Sequence, residues 1–156
     1  MLLFVSVLII WLITFVDISA AITSAQVTDF VSYVSTISAV REKLVQYQRD
    51  MAEGIDVVLE GRDIGTVVFP NAEYKFFLVA DIHERAKRRK KEMDAKGEVV
   101  SLEELTSEME KRDRKDSTRI HSPLKKAEDA VEIDTTGISI EEQVNRIVEI
   151  VNKTIK

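Results

Sequence analysis

The alternation of short apolar runs with helix-start signals predicts an α/β protein built on a parallel sheet. Three runs read as strands: IDVVLE (residues 55–60) stopped by Gly61, KFFLVA (75–80) after the Pro70-Asn71 turn signal, and AVEIDT (130–135) ending before Gly137. Asp81 with Glu84, Ser101 with Glu104 and Ser139 with Glu142 each have the spacing of a capping box, so a helix opens at each. Ligands of such sheets bind beyond the carboxyl ends of the strands.

In chain order, Ser38 is the expected cap of a helix with Val40, Leu44, Val45 and Met51 on its apolar positions, closing at Gly54. The helix from Asp81 is strongly basic and runs to about Gly97. The helix from Ser101 carries Leu102, Leu105 and Met109 on one face. The last helix is expected to be amphipathic, with Ile140, Val144, Ile147, Val148, Val151 and Ile155 turned inward.

The first stretch, MLLFVSVLIIWLITFV, stands apart in composition. It is short of the roughly 20 apolar residues a spanning helix needs. It also lacks the basic leader of a secretory signal, although Ser19-Ala20-Ala21 keeps a cleavage site arguable. Two readings stay open: an export or membrane segment, or a buried segment or start that is not the native N-terminus. The second is preferred.

With 156 residues, the chain has the size of one domain. It contains no Cys and only two His, which excludes a disulfide framework and argues against a multi-His metal site. The net charge of −5 is uneven, because residues 84–126 hold 14 basic against 10 acidic side chains. A basic middle in an acidic chain suits a phosphate-bearing ligand, and equally a solvated helical face laced with ion pairs.

Arg112, Asp116 and Arg119 follow one another at spacings of four and three, on one helical face. Two guanidiniums flanking a carboxylate make either a structural ion-pair ladder or a site for a phosphate and a sugar hydroxyl. Arg62 and Asp63 follow the first apolar run directly and precede IGTVVFP, which has no charge. A strand's carboxyl end is a place to meet a ligand. Arg85, Arg88 and Arg89 within ERAKRRKK could close over a triphosphate, solubilise the helix or contact nucleic acid. The helix has no interleaved aromatics for the last role. His83 is expected to be exposed, and Tyr74, Phe76 and Phe77 to pack. No G-x-x-x-x-G-K-[ST] string occurs in the 156 residues.

Five stretches together resemble the bacterial cytidylate kinase family of nucleoside-monophosphate kinases. They are VREKLVQYQRDMA, EGRDIGTVVFPNAE, HERAKRR, KRDRKDSTR and AEDAVEIDTTGISIEE. The resemblance runs from about residue 17 to the end of the chain. It implies a three-layer P-loop nucleoside-monophosphate kinase-like fold with a parallel sheet, here without the first strand and P-loop. By the same resemblance, residues 17–156 form the kinase-like domain and residues 1–16 an apolar segment of unknown role. The CMP-binding region covers 17–53, the core 54–80 and 120–156, and the lid about 84–119.

The resemblance further implies transfer of the γ-phosphate of ATP to CMP or dCMP, with Mg²⁺ accompanying the ATP. Ser32, Arg41 and Asp63 would recognise the cytosine edge, Arg62 and Arg119 the CMP phosphate, and Asp116 with Arg112 the ribose. Arg62, Arg112 and Arg119 would neutralise charge during transfer, and Arg88 would reach ATP. The protein is expected to be a cytoplasmic monomer that binds neither nucleic acid nor membrane.

Two departures from the family pattern stand out. The Gly-rich loop that cradles ATP phosphates is missing, so the chain as given is expected to be impaired or to be a non-catalytic nucleotide-binding fragment. Thr23 and Ala25 also stand where the family commonly has an Arg followed two residues later by Pro, which removes one contact to the CMP phosphate.

Overall fold

The computed structural model describes residues 25–34 and 36–154. The elements run α1 (Ala25–Val34), α2 (Ser38–Met51), a single π-turn (Ile64–Val68), β1 (Phe76–Val79), α3 (Ile82–Ala95), α4 (Leu102–Thr118), β2 (Val131–Asp134) and α5 (Ile140–Thr154). The apolar segment 1–16 lies outside the described residues.

β1 and β2 pair in parallel, with Phe76 opposite Val131 and Val79 opposite Asp134. A parallel pair requires a crossover between its strands, and α3 and α4 supply it. These two helices pack on each other. Ala86 and Leu105 are their buried members, while Ile133 is buried in β2 and Val45 and Val68 join α2 to the π-turn. The parallel α/β expectation therefore holds in the described residues, on a sheet of two strands.

The helix starts follow their local chemistry. At α4 the Ser101 hydroxyl accepts from Glu104 N–H at 3.1 Å, and the Glu104 carboxylate accepts from Ser101 N–H at 3.1 Å. Ser139 and Glu142 make the same reciprocal pair before α5, at 3.2 and 2.7 Å. Asp81 caps α3 by accepting from the N–H groups of His83 and Glu84. At the far end of α3, Gly97 takes the left-handed conformation at φ 78, and Glu98 N–H reaches back to Met93 C=O at 3.0 Å.

Three expectations need correction. The apolar face of α5 is not buried among the described residues: Ile140, Val144 and Val148 are exposed, because no other described element is packed over them. Ser38 is the first helical residue of α2 and not its cap: Ile37 holds that position, and the Ser38 hydroxyl donates to Glu42 at 2.8 Å. Residues 55–60 are not part of the sheet. Their apolar composition suits a strand, yet a strand exists only against a neighbour, and β1 and β2 are the only strands among the described residues. Ile55 and Val58 are correspondingly 62% and 78% exposed. Among the described residues no helix is long and apolar enough to cross a membrane.

The two capping boxes make stability sensitive to acid. Hydrogen bonds from the backbone and hydroxyl of Ser139 hold the Glu142 carboxyl below its ordinary value of 4.5, and Ser101 does the same for Glu104. A depressed carboxylate stabilises the fold above its unfolded value, and that contribution is lost as pH falls through the folded value. Glu142→Gln keeps an acceptor but removes the titration. It is expected to melt below the parent protein at about pH 7, with the difference closing as pH falls through the lowered value of the folded carboxyl. Thermal melts across that range check it; a gap that widens on acidification contradicts the assignment.

Candidate functional site

The turn after residues 55–60 is where the chain first gathers charge. Gly61 leaves room there for Ile64, whose side chain would have to shift for a Cβ, since one would come within 2.9 Å of Ile64 Cγ1. Arg62 and Asp63 follow, and the π-turn starts at once. Asp63 C=O accepts from Val67 N–H at 2.9 Å and Val68 N–H at 3.3 Å, and Ile64 C=O accepts from Phe69 N–H at 2.8 Å.

Helix α2 clamps this turn with two arginines eight residues apart. Arg41 donates to the Asp63 carboxylate, which is buried. Arg49 donates from Nε to Val68 C=O and from its terminal nitrogen to Val67 C=O, both at 2.8 Å. Nε of Arg41 is buried with no hydrogen-bond partner among the described residues.

A second cluster centres on Asp116 of α4, 8% exposed. Its Oδ2 lies 3.3 Å from Arg62 Nε and 4.0 Å from Arg112 Nε, and its Oδ1 lies 3.8 Å from Arg119. One buried carboxylate thus sits among three guanidiniums from two segments. Arg119, at the end of α4, also donates to Ser122 C=O. Ser122 adopts the left-handed φ of 50, uncommon for a residue with a side chain, and Leu124 N–H then donates to Asp116 C=O at 2.8 Å. This tight loop holds Arg119 against Asp116.

Arg62, Arg112, Asp116 and Arg119 therefore come together, and Asp63 with Arg41 lies one residue away along the chain from Arg62. Ser32 belongs to α1, but its side chain lies outside the described set. Arg88 is placed differently from the rest. It pairs with Glu84 at 3.3 Å and donates to Thr135 C=O at 2.5 Å and Thr135 Oγ1 at 3.4 Å, at the carboxyl end of β2. His83 is exposed, as its position at a helix start suggests.

Sequence reasoning missed Asp113 and Arg49. Asp113 joins the cluster by accepting from Arg85 at 2.7 Å and facing Arg62 at 3.5 Å. Its signal is the i,i+3 spacing to Asp116, which puts both carboxylates toward one side of α4. Arg49 binds only backbone carbonyls, which leave no trace in the sequence. No grouping of three or more His, Cys, Asp or Glu able to hold a metal occurs among the described residues.

A parallel pair of strands joined by a helical crossover, with arginines of α2, α4 and the turn before the π-turn gathered around Asp63 and Asp116, defines an α/β protein with a concentrated cationic cluster. The comparison with known families sharpens this. The family model "Cytidylate kinase" matches residues 10–153. A curated cytidylate kinase of Pediococcus pentosaceus is 51% identical over 140 residues, covering 90% of this chain and 62% of the relative. Those of Geobacillus sp. and Desulforamulus reducens are each 54% identical, over 139 and 137 residues. The chain belongs to the cytidylate kinase family. It spans 62% of the length of these three relatives.

The Arg41–Asp63 pair is the most enclosed ion pair of the site. Breaking a buried pair by removing one partner leaves the other charge uncompensated and costs about 3 kcal/mol. Asp63→Ala is expected to lower unfolding stability by that order in urea titrations, even with no nucleotide added. A loss under about 1 kcal/mol would show that the pair is solvated and not structural.

Proposed function

We propose that this chain forms the nucleoside-monophosphate side of a kinase that moves the γ-phosphate of ATP onto CMP or dCMP, yielding ADP and the diphosphate. The observation that carries the reading is the buried Asp116 with Arg62, Arg112 and Arg119 around it, one residue from the Arg41–Asp63 pair. Family membership and identities near 50% to proteins named cytidylate kinase support it.

Each group has chemistry suited to one part of the nucleotide. Arg62 and Arg119 would take the phosphate oxygens, for which a guanidinium offers paired donors. An ionised carboxylate has about four acceptor positions, so Asp116 can hold its arginines and still accept from a ribose hydroxyl. Arg112, the more exposed of its partners, would steady it there. Asp63, fixed by Arg41, would accept from the exocyclic amine of cytosine, and Ser32 would complete the base edge.

Phosphoryl transfer asks for positioning and charge neutralisation, and the arginines would supply both. Arg88 would serve ATP from the carboxyl end of β2, exchanging Thr135 C=O for a phosphate oxygen. Mg²⁺ enters with ATP as part of the donor substrate. The protein acts in this reading as a cytoplasmic monomer on free nucleotides, not on nucleic acid.

The 156 residues contain no Gly-rich Lys-Ser/Thr loop, and that supports assigning the ATP-phosphate cradle to no part of this stretch. Such a loop contributes several backbone donors and a Lys, and losing one donor of this type costs about 10²–10³ in rate. The polypeptide as given is expected to show no appreciable CMP phosphorylation. A version extended with a family N-terminus is expected to turn over. Coupled ADP-release assays compare the two; rates within about tenfold of each other contradict the assignment.

Asp116→Ala tests the sugar role. Losing a charged hydrogen bond costs about 1.5–3 kcal/mol, so CMP and dCMP affinities should fall, and unequally. Calorimetric titration with both nucleotides reads this. A change of less than about twofold for both contradicts the ribose assignment.

A further inference from the structure

Asp113 is the acidic residue of the cluster that the family reading leaves without a role, and its geometry is specific. Its two oxygens point to arginines of two different segments. Oδ2 accepts from Arg85 of α3 at 2.7 Å, and Oδ1 faces Arg62 at 3.5 Å. Arg85 is itself anchored, since its Nε donates to Ala80 C=O at 3.2 Å, just past β1. Asp113 is therefore held from the Arg85 side and reaches Arg62 from a fixed position.

The two contacts are unequal. The Arg85 pair has the short length of a charge-assisted hydrogen bond, whereas the Arg62 contact is at the limit of one. Arg62 is shared further, with Asp116 at 3.3 Å, and its side chain is 37% exposed. A guanidinium loosely shared between two carboxylates and open to solvent is one that a stronger anion can recruit. A phosphate dianion carries more charge and more acceptor positions than a carboxylate. It competes directly with Asp113 for Arg62, and the Asp113 charge repels it at short range.

We propose that Asp113 is an affinity-setting counter-ion of the phosphate site: it holds Arg62 through a displaceable contact, and a nucleotide phosphate takes Arg62 from it while Arg85 retains the freed carboxylate. Arg85 is then the positioning residue that neutralises Asp113 and keeps it from gripping Arg62 more tightly. This inference rests on the reading of Arg62 as a phosphate ligand.

The consequence is a pair of opposite effects confined to phosphate-bearing ligands. Asp113→Asn removes the competing charge and should tighten CMP by about two- to fivefold, the size of a part-exposed ion pair, with cytidine unchanged. Arg85→Gln leaves Asp113 to Arg62 alone and should weaken CMP by a similar factor, again with cytidine unchanged. Calorimetric titrations of CMP and of cytidine into the 156-residue protein and both variants give the affinity ratio of the two ligands. A partial loss of folded protein lowers both ligands' binding stoichiometry together and leaves that ratio intact.

The proposal requires the CMP-to-cytidine ratio to rise for Asp113→Asn and to fall for Arg85→Gln. An unchanged ratio in either variant, or the reverse direction, overturns it while leaving the functional reading in place. If the parent protein binds neither CMP nor cytidine, the functional reading fails, and this inference fails with it.

Discussion

A carboxylate buried among arginines organises this molecule. Asp116 is almost withdrawn from water, and an ionised group in that position survives only if cations surround it. Meeting that demand pulls together Arg62 from the turn after residues 55–60, Arg112 from the preceding turn of the same helix, and Arg119 from the helix end. The left-handed Ser122 and the Leu124 N–H bond to Asp116 C=O serve the same arrangement from the C-terminal side. Three guanidiniums are concentrated there because one buried acidic group needs them.

The turn that carries Arg62 is held from the other side by α2. Arg41 answers the Asp63 carboxylate, and Arg49 answers the carbonyls of Val67 and Val68. These bonds join side chains about 20 residues apart in the chain to a turn whose own hydrogen bonds are of the irregular π type. A π-turn is uncommon and tends to occur at functional positions, where it re-aims side chains. Just before this one, neighbouring residues diverge: Asp63 pairs with Arg41 of α2, while Arg62 pairs with Asp116 of α4.

Much of this was legible in the residues alone. Although Arg119 is the C-cap of α4 with extended backbone and meets Asp116 through the loop that follows, the i,i+4 spacing of Arg112 and Asp116 placed both on one face of the helix, because helical periodicity is a local property. The Ser101 and Ser139 capping boxes were readable for the same reason, and so were β1 and β2 from their apolar runs between turn residues. The misreadings have a common cause. Residues 55–60 have strand composition, but pairing depends on a neighbour that local sequence does not specify. Ser38 has the right side chain for a cap, yet its backbone is already helical and the extended residue at the cap position is Ile37. Arg49 and Asp113 escaped notice because their partners are backbone carbonyls in one case and an arginine of another helix in the other.

The central claim is that the arginines gathered by Asp116 form the monophosphate site beside the Arg41–Asp63 pair. A crystal structure of the protein with CMP tests it most directly. The account requires phosphate oxygens within hydrogen-bond distance of Arg62 and Arg119, a ribose hydroxyl on Asp116, and the cytosine edge against Asp63. A nucleotide bound elsewhere, such as along the exposed lysines of α3, with the Asp116 cluster unchanged, would contradict it.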